Sequence, residues 1–145
     1  MKSRIALFSL ILAFAASSTV TAHARACSNA TLKGTYANTI HGQLFLPNGV
    51  VLVIDGITKA TYDGEGNFTQ VDAVADNGNF TPGWRPGSGT YSVNPDCTGT
   101  QTNSIPGLPD LHLQFIVSPS GRKSWFVVTD PGFETAGDSE RISIQ

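Results

Sequence analysis

The sequence has 145 residues, of which 14% are charged, and it contains 15 glycines. Such a low content of charge with frequent glycine is typical of a turn-rich β protein rather than a helical one. The formal net charge is −2 and the chain has no basic cluster, which disfavours nucleic acid and anionic membrane surfaces as partners.

The first 24 residues have the three regions of a secretory signal peptide. Lys2 and Arg4 give a positive start, residues 5–16 are an apolar run, and Ala22-His23-Ala24 is an Ala-x-Ala cleavage pattern. We expect cleavage after Ala24 and export to the periplasm or the extracellular space. The mature chain, residues 25–145, would be one β-barrel domain with a net charge of −4. No later apolar run approaches the about 18 residues that a membrane span requires.

The two cysteines, Cys27 and Cys97, have two interpretations. In an oxidising compartment we expect them to form a disulfide. The alternative is acylation of Cys27 in a lipoprotein. Ala24 stands where a lipobox usually has leucine, and acylation would leave Cys97 without a partner, so the disulfide is the favoured hypothesis.

From residue 34 onward, short runs with strand character alternate with turns rich in Gly, Pro, Asn and Asp. The run at 111–117 is the clearest, because Leu111, Leu113, Phe115 and Val117 share one face. A single helical turn is expected near 27–32. The predicted strands are 34–46, 50–62, 67–75, 90–93, 98–104, 111–117, 124–129 and 139–145.

About eight short strands in a row predict an antiparallel up-and-down meander, because sequential strands usually pair. Such a meander tends to close into a small barrel, since closure removes the exposed edges. The fold class is therefore all-β, with a β-sandwich as the alternative. The tripeptide Gly-Thr-Tyr occurs at 34–36 and 89–91, and we expect each copy to begin a strand with its tyrosine in the core. Trp125 is also predicted to lie in the core.

The turn at 63–67 resembles the first half of a calcium-binding EF-hand loop, with Asp63, Glu65 and Asn67 at alternate positions. Position 6 of that motif requires glycine and is Phe68 here, while position 12 requires glutamate and is Val74. The sequence therefore predicts a plain hairpin turn.

Five residues are candidates for binding a ligand inside the barrel. Trp84 and Arg85 lie in a Gly- and Pro-rich loop at 76–89, which we expect at the barrel mouth. His41, His112 and Gln114 lie in predicted strands and could face the same cavity, with His112 as a general base or both histidines as zinc ligands. Because no spacing motif links them, exposed or hydrogen-bonded strand residues are the simpler interpretation. We assign no catalytic residue, no metal and no cofactor.

The combination of "LKGTYA", "YDGEGNFT" and "GTYSVNPDCTGT" resembles a pattern found in small secreted bacterial proteins of uncharacterised function. That group is similar to the compact barrels of the lipocalin and allene-oxide-cyclase type. The resemblance covers residues 27–129 and implies a barrel with a central cavity. It carries over no catalytic residue, and the plant cyclase motifs are absent.

Our leading hypothesis is an exported barrel that binds a small, largely apolar molecule in its interior, because eight-stranded barrels can hold one small ligand. The first alternative is an isomerase or cyclase that uses the cavity, with a histidine or a carboxylate as acid or base. The second alternative is an extracellular adhesion or structural protein with a filled barrel.

Overall fold

The structure is a computed structural model that describes residues 26–80 and 82–144. The predicted signal peptide, residues 1–24, lies outside the described residues. In the described part of the chain, a short 3-10 helix (η1) precedes nine strands. The elements are η1 Asn29–Leu32, β1 Gly34–Phe45, β2 Val51–Tyr62, β3 Asn67–Asp76, β4 Asn79–Phe80, β5 Arg85–Val93, β6 Thr98–Ser104, β7 Leu111–Val117, β8 Lys123–Val128 and β9 Phe133–Ser143.

Eight of these strands form a closed antiparallel barrel. Each barrel strand pairs with the next along the chain, and β9 pairs back with β1. The exception is β4, a two-residue strand that pairs with the end of β3 outside the barrel, so that β5 is the next barrel strand after β3. The predicted all-β meander that closes into a small barrel is therefore confirmed, and the β-sandwich alternative is wrong.

Two strands begin five or more residues earlier than predicted. The strand β5 begins at Arg85 rather than at residue 90, and β9 begins at Phe133 rather than at residue 139. Glycines in both segments looked like loop residues, but they take part in the sheet. The inward-facing Gly89 and Gly137 lie opposite Phe68 and Phe126 on the neighbouring strands. A Cβ on either glycine would come within 3 Å of the phenyl ring, so each glycine is required for the ring to cover its strand.

The hydrophobic core lies at one end of the barrel, which we call the closed end. Tyr36 is fully buried there, and Tyr62 and Tyr91 are nearly so. The ring centre of Tyr62 lies 5.4 Å from that of Tyr36 and 5.0 Å from that of Tyr91, both in edge-to-face geometry. These contacts combine a large buried area with favourable ring electrostatics.

The two Gly-Thr-Tyr tripeptides therefore meet at the same end of the barrel. The first begins β1, as predicted. The prediction for the second was wrong, because it lies in the second half of β5. Since β1 starts at the closed end and β5 finishes there, both tyrosines reach the same core.

The helical turn η1 covers the closed end and is held there by a disulfide and by a hydrogen bond from Arg141. The predicted disulfide between Cys27 and Cys97 joins its lead-in to the turn after β5, across a sequence separation of 70 residues. Arg141 Nη2 donates a hydrogen bond to the Thr31 carbonyl at 2.6 Å, and its Nε donates to the Tyr36 hydroxyl at 3.0 Å. Leu32, the last residue of this turn, is 2% exposed. We call the opposite end of the barrel, where the loops at 105–110 and 129–132 lie, the mouth.

The prediction that Trp125 lies in the core was wrong. Trp125 lies on the outer face of β8 and is half exposed, opposite the exposed Ile116 on β7. The segment Ser124–Val128 is apolar on both faces, so periodicity could not distinguish its core face. In the structure, Ser124, Phe126 and Val128 face the interior. Within residues 26–80 and 82–144, no helix is long and apolar enough to cross a membrane.

Candidate functional site

The barrel interior contains a cavity of about 580 Å³ between the tyrosine core and the mouth. This volume lies within the range of about 300–1000 Å³ that is usual for small-molecule sites. Residues of the mouth loops at 105–110 and 129–132 contribute to its wall. Most of the wall towards the mouth is apolar. The apolar lining residues include Ile40, Leu44, Leu52, Ile54, Val74, Ile105, Leu108, Leu111, Leu113, Val128 and Phe133.

A continuous polar row crosses the cavity wall on six neighbouring strands. Its members lie directly opposite one another in the strand register, so each is the nearest inward neighbour of the next. Because barrel strands are tilted, the row climbs from the closed end of β8 to the mouth end of β5. The row consists of Ser124, Ser139, Asn38, Thr58, Asp72 and Arg85.

Asn38, in the middle of this row, has an unsatisfied hydrogen-bond acceptor. Its side-chain Nδ2 donates to Thr58 Oγ1, but Oδ1 is buried and accepts no hydrogen bond from the described residues. An unpaired buried polar atom typically costs about 1–3 kcal/mol. The cavity wall therefore presents a buried acceptor that a bound molecule with a donor group would satisfy.

Arg85 and Asp72 form an ion pair at the mouth end of the row. Arg85 Nε lies 2.7 Å from Asp72 Oδ1, and the Asp72 side chain is only 3% exposed. A buried carboxylate needs such a partner, because an uncompensated charge away from water is costly. Arg85 was predicted as a mouth residue and does line the cavity. Its neighbour Trp84 is exposed and does not contribute to the cavity wall.

The other three candidates from the sequence lie on the outer face of the barrel. His41 Nδ1 lies 2.8 Å from Asp55 Oδ1, and His112 Nδ1 lies 2.8 Å from Asp130 Oδ1. Both histidines and Gln114 are exposed, and none of the three lines the cavity. Within the described residues, no group of three or more His, Cys, Asp or Glu side chains could hold a metal ion. Ligand binding by the five predicted residues stays a prediction, with Arg85 the only one in the cavity wall.

A second polar group joins β2 and β6, which are separated in the sheet by β3 and β5. The Tyr62 hydroxyl donates to Gln101 Oε1 at 2.9 Å, and Gln101 Nε2 donates to Asn103 Oδ1 at 2.6 Å. Burial raises the pKa of Tyr62 well above its ordinary value of 10.0, so its hydroxyl stays protonated at neutral pH. The Tyr62 hydroxyl and both polar atoms of the Gln101 side chain therefore have hydrogen-bond partners within the protein. Asn38 Oδ1, in contrast, has none among the described residues.

Three residues of the cavity wall were not predicted from the sequence, namely Asn38, Asp72 and Gln101. The signal was present, because each alternates with residues of the opposite face in a predicted strand. The alternation at 111–117 likewise placed His112 and Gln114 opposite the face of Leu113. Polar residues on an otherwise apolar inner face are therefore the pattern that identifies this site.

Comparisons of the chain with protein-family models, with curated proteins and with solved structures find no match. The closed eight-stranded antiparallel barrel is consistent with the lipocalin-like architecture that the sequence resemblance implies.

Proposed function

We propose that the protein is exported and binds a small, largely apolar molecule inside its barrel. The observation that carries this proposal is the cavity of about 580 Å³ with its predominantly apolar wall. Concave apolar sites with a few convergent polar groups are the usual form of small-molecule binding sites. The predicted signal peptide and the disulfide between Cys27 and Cys97 support export.

The space inside the barrel has a structural origin. Small eight-stranded barrels are either filled by their own side chains or hold one small ligand. Here the bulky aromatic side chains Tyr36, Tyr62 and Tyr91 gather at the closed end. Nearer the middle, the inner face carries short side chains such as Thr58 and Ser139, which leave room for a ligand.

The two alternatives have less support than the binder. A filled structural barrel does not agree with a cavity of this volume. An isomerase or cyclase would need an acid or base in the cavity, and neither His41 nor His112 lines it. Four aspartates line the cavity, and the buried one, Asp72, is held by Arg85.

The proposal is tested by titrating the disulfide-bonded protein with N-phenylnaphthylamine, a neutral fluorophore whose emission rises in apolar surroundings. We expect saturable binding at one site. Ile54→Trp places extra bulk on the cavity wall and should weaken binding by about tenfold or more, because the added ring occupies the ligand volume.

The matched control is Ile57→Trp, which adds the same ring to the outer face of β2, where Ile57 is 52% exposed. This variant should bind the fluorophore as the wild type does. Absence of saturable binding to the wild-type protein, or equal weakening in both folded variants, would contradict an interior site.

A further inference from the structure

We infer that the cavity selects a neutral amphiphile whose hydroxyl group enters first and donates a hydrogen bond to Asn38 Oδ1, with its apolar body extending towards the mouth. This inference rests on the proposed function and names the class of ligand that the same cavity takes.

Asn38 in the polar row carries the hydrogen-bond acceptor that a ligand can satisfy. Asn38 is 9% exposed, and one N–H of its side-chain amide is engaged by Thr58. Its Oδ1 has no donor among the described side chains and backbone groups. Ser139, which lies opposite Asn38 in the register, places a further hydroxyl on the same stretch of wall. A ligand hydroxyl can donate to Asn38, whereas an ether, an ester or a hydrocarbon cannot.

The cavity wall between Asn38 and the mouth is apolar on β1 and β2. Along β1, the next inward side chains are Ile40 and Leu44. On β2, Ile54 and Leu52 continue the apolar wall in the same direction. A ligand that placed its hydroxyl at Asn38 would therefore bury an alkyl chain or an alicyclic body against apolar side chains, which is favourable in proportion to the area removed from water.

The charged residues that line the cavity disfavour a charged ligand. Four aspartates are among the residues that line the cavity, namely Asp72, Asp76, Asp110 and Asp130, against the single arginine, Arg85. The Nε of its guanidinium is already bound to Asp72. A ligand carboxylate would meet an excess of like charge, and burying an ammonium next to the neutral amide of Asn38 would cost its hydration. A neutral donor avoids both costs.

The inference is tested with four ligands of equal chain length, namely dodecanol, dodecyl methyl ether, dodecanoate and dodecylamine. Each is measured by displacement of N-phenylnaphthylamine from the full disulfide-bonded protein. We expect dodecanol to bind about tenfold more tightly than the ether, because the ether keeps the oxygen but loses the donor. Both charged ligands should bind at least about tenfold more weakly than dodecanol.

The same measurements on Asn38→Leu assign the effect to this residue. The substitution should weaken dodecanol binding by about tenfold and abolish the preference for dodecanol over the ether, with little change in the ether itself. Gln43→Leu is the matched control, because Gln43 lies exposed on the outer face of the same strand. That variant should keep the preference for the alcohol.

Two kinds of failure are distinguishable. If the fluorophore and all four ligands fail to bind the wild-type protein, the proposed function is wrong and the inference falls with it. If the fluorophore binds but dodecanol is no tighter than the ether or the charged ligands, or if folded Asn38→Leu keeps the preference, only the inference is overturned. Should Asn38→Leu fail to fold, the four affinities of the wild-type protein still decide between these outcomes.

Discussion

At position 63, a single carboxylate organises the turn between β2 and β3. Asp63 Oδ1 accepts hydrogen bonds from the backbone N–H groups of Glu65, Gly66 and Asn67 at 2.7–3.0 Å, and Oδ2 accepts one from Asn67 Nδ2 at 2.9 Å. The bond from the Asn67 side chain, followed by those from the backbone, lowers the pKa of Asp63 from 3.8 to about 2. The plain hairpin turn predicted from the sequence is confirmed. The Asp63 carboxylate stabilises it by accepting hydrogen bonds from the backbone of the turn.

The lowered pKa of Asp63 predicts the pH dependence of this turn. A carboxyl group whose pKa is lower in the folded chain stabilises the fold above its unfolded pKa of 3.8, and this contribution disappears as the pH falls through about 2. We expect the ¹³Cγ resonance of Asp63 to titrate with a midpoint near 2 in NMR spectra. A midpoint at the ordinary value would show that the hydrogen bonds do not form in solution. Asp63→Asn serves as the control, because it removes the titrating group.

The role of a residue could be predicted from the sequence where it depends on local backbone preferences, but not where it depends on neighbouring strands. Asp and Gly at 63–66 predicted a turn because their local backbone preferences define one. The open acceptor of Asn38 could not be predicted, since it depends on which donors the neighbouring strands β2 and β9 bring to it. Arg85 was predicted near the ligand, but its partner Asp72 became visible only with the register between β3 and β5.

Among the elements, η1 and its disulfide form the cover of the closed end. The chain-entropy model gives about 4 kcal/mol of stabilisation for a disulfide that closes a loop of 70 residues. We therefore expect Cys27→Ser/Cys97→Ser to lower the free energy of unfolding by about that amount in urea titrations. Binding of N-phenylnaphthylamine to the folded variant should change little, because the cavity opens at the opposite end.

Reductant provides the control for this prediction. It should lower the unfolding midpoint of the wild-type protein and leave that of the double serine variant unchanged. Equal midpoints for the wild-type protein with and without reductant would mean that the disulfide contributes no stability.

At the scale of elements, the number and order of the barrel strands could be predicted, while some of their ends and faces could not. Turn residues between short apolar runs gave eight strands. Glycine obscured the first half of β5, because its place in the sheet depends on Phe68 lying across Gly89 on the neighbouring strand. Trp125 was misplaced because apolar residues occur on both faces of β8.

For the whole molecule, closure of the barrel followed from the meander, but the size of its interior did not. A cavity depends on how the large side chains are distributed along the barrel axis. Here Tyr36, Tyr62 and Tyr91 fill one end, while the polar row and the aliphatic wall leave about 580 Å³ between them and the mouth. That distribution arises from the register of eight strands, which no single segment of the sequence determines.

Isotope-filtered nuclear Overhauser measurements on the methyl-labelled protein with bound dodecanol test the interior site most directly. Ligand protons should show contacts with the methyl groups of Ile40, Ile54 and Val74, which line the cavity. They should show none with Ile57 or Ile116, which are exposed on the outer face. Contacts with the outer methyl groups alone, or no contacts at saturating dodecanol, would contradict a ligand held inside the barrel.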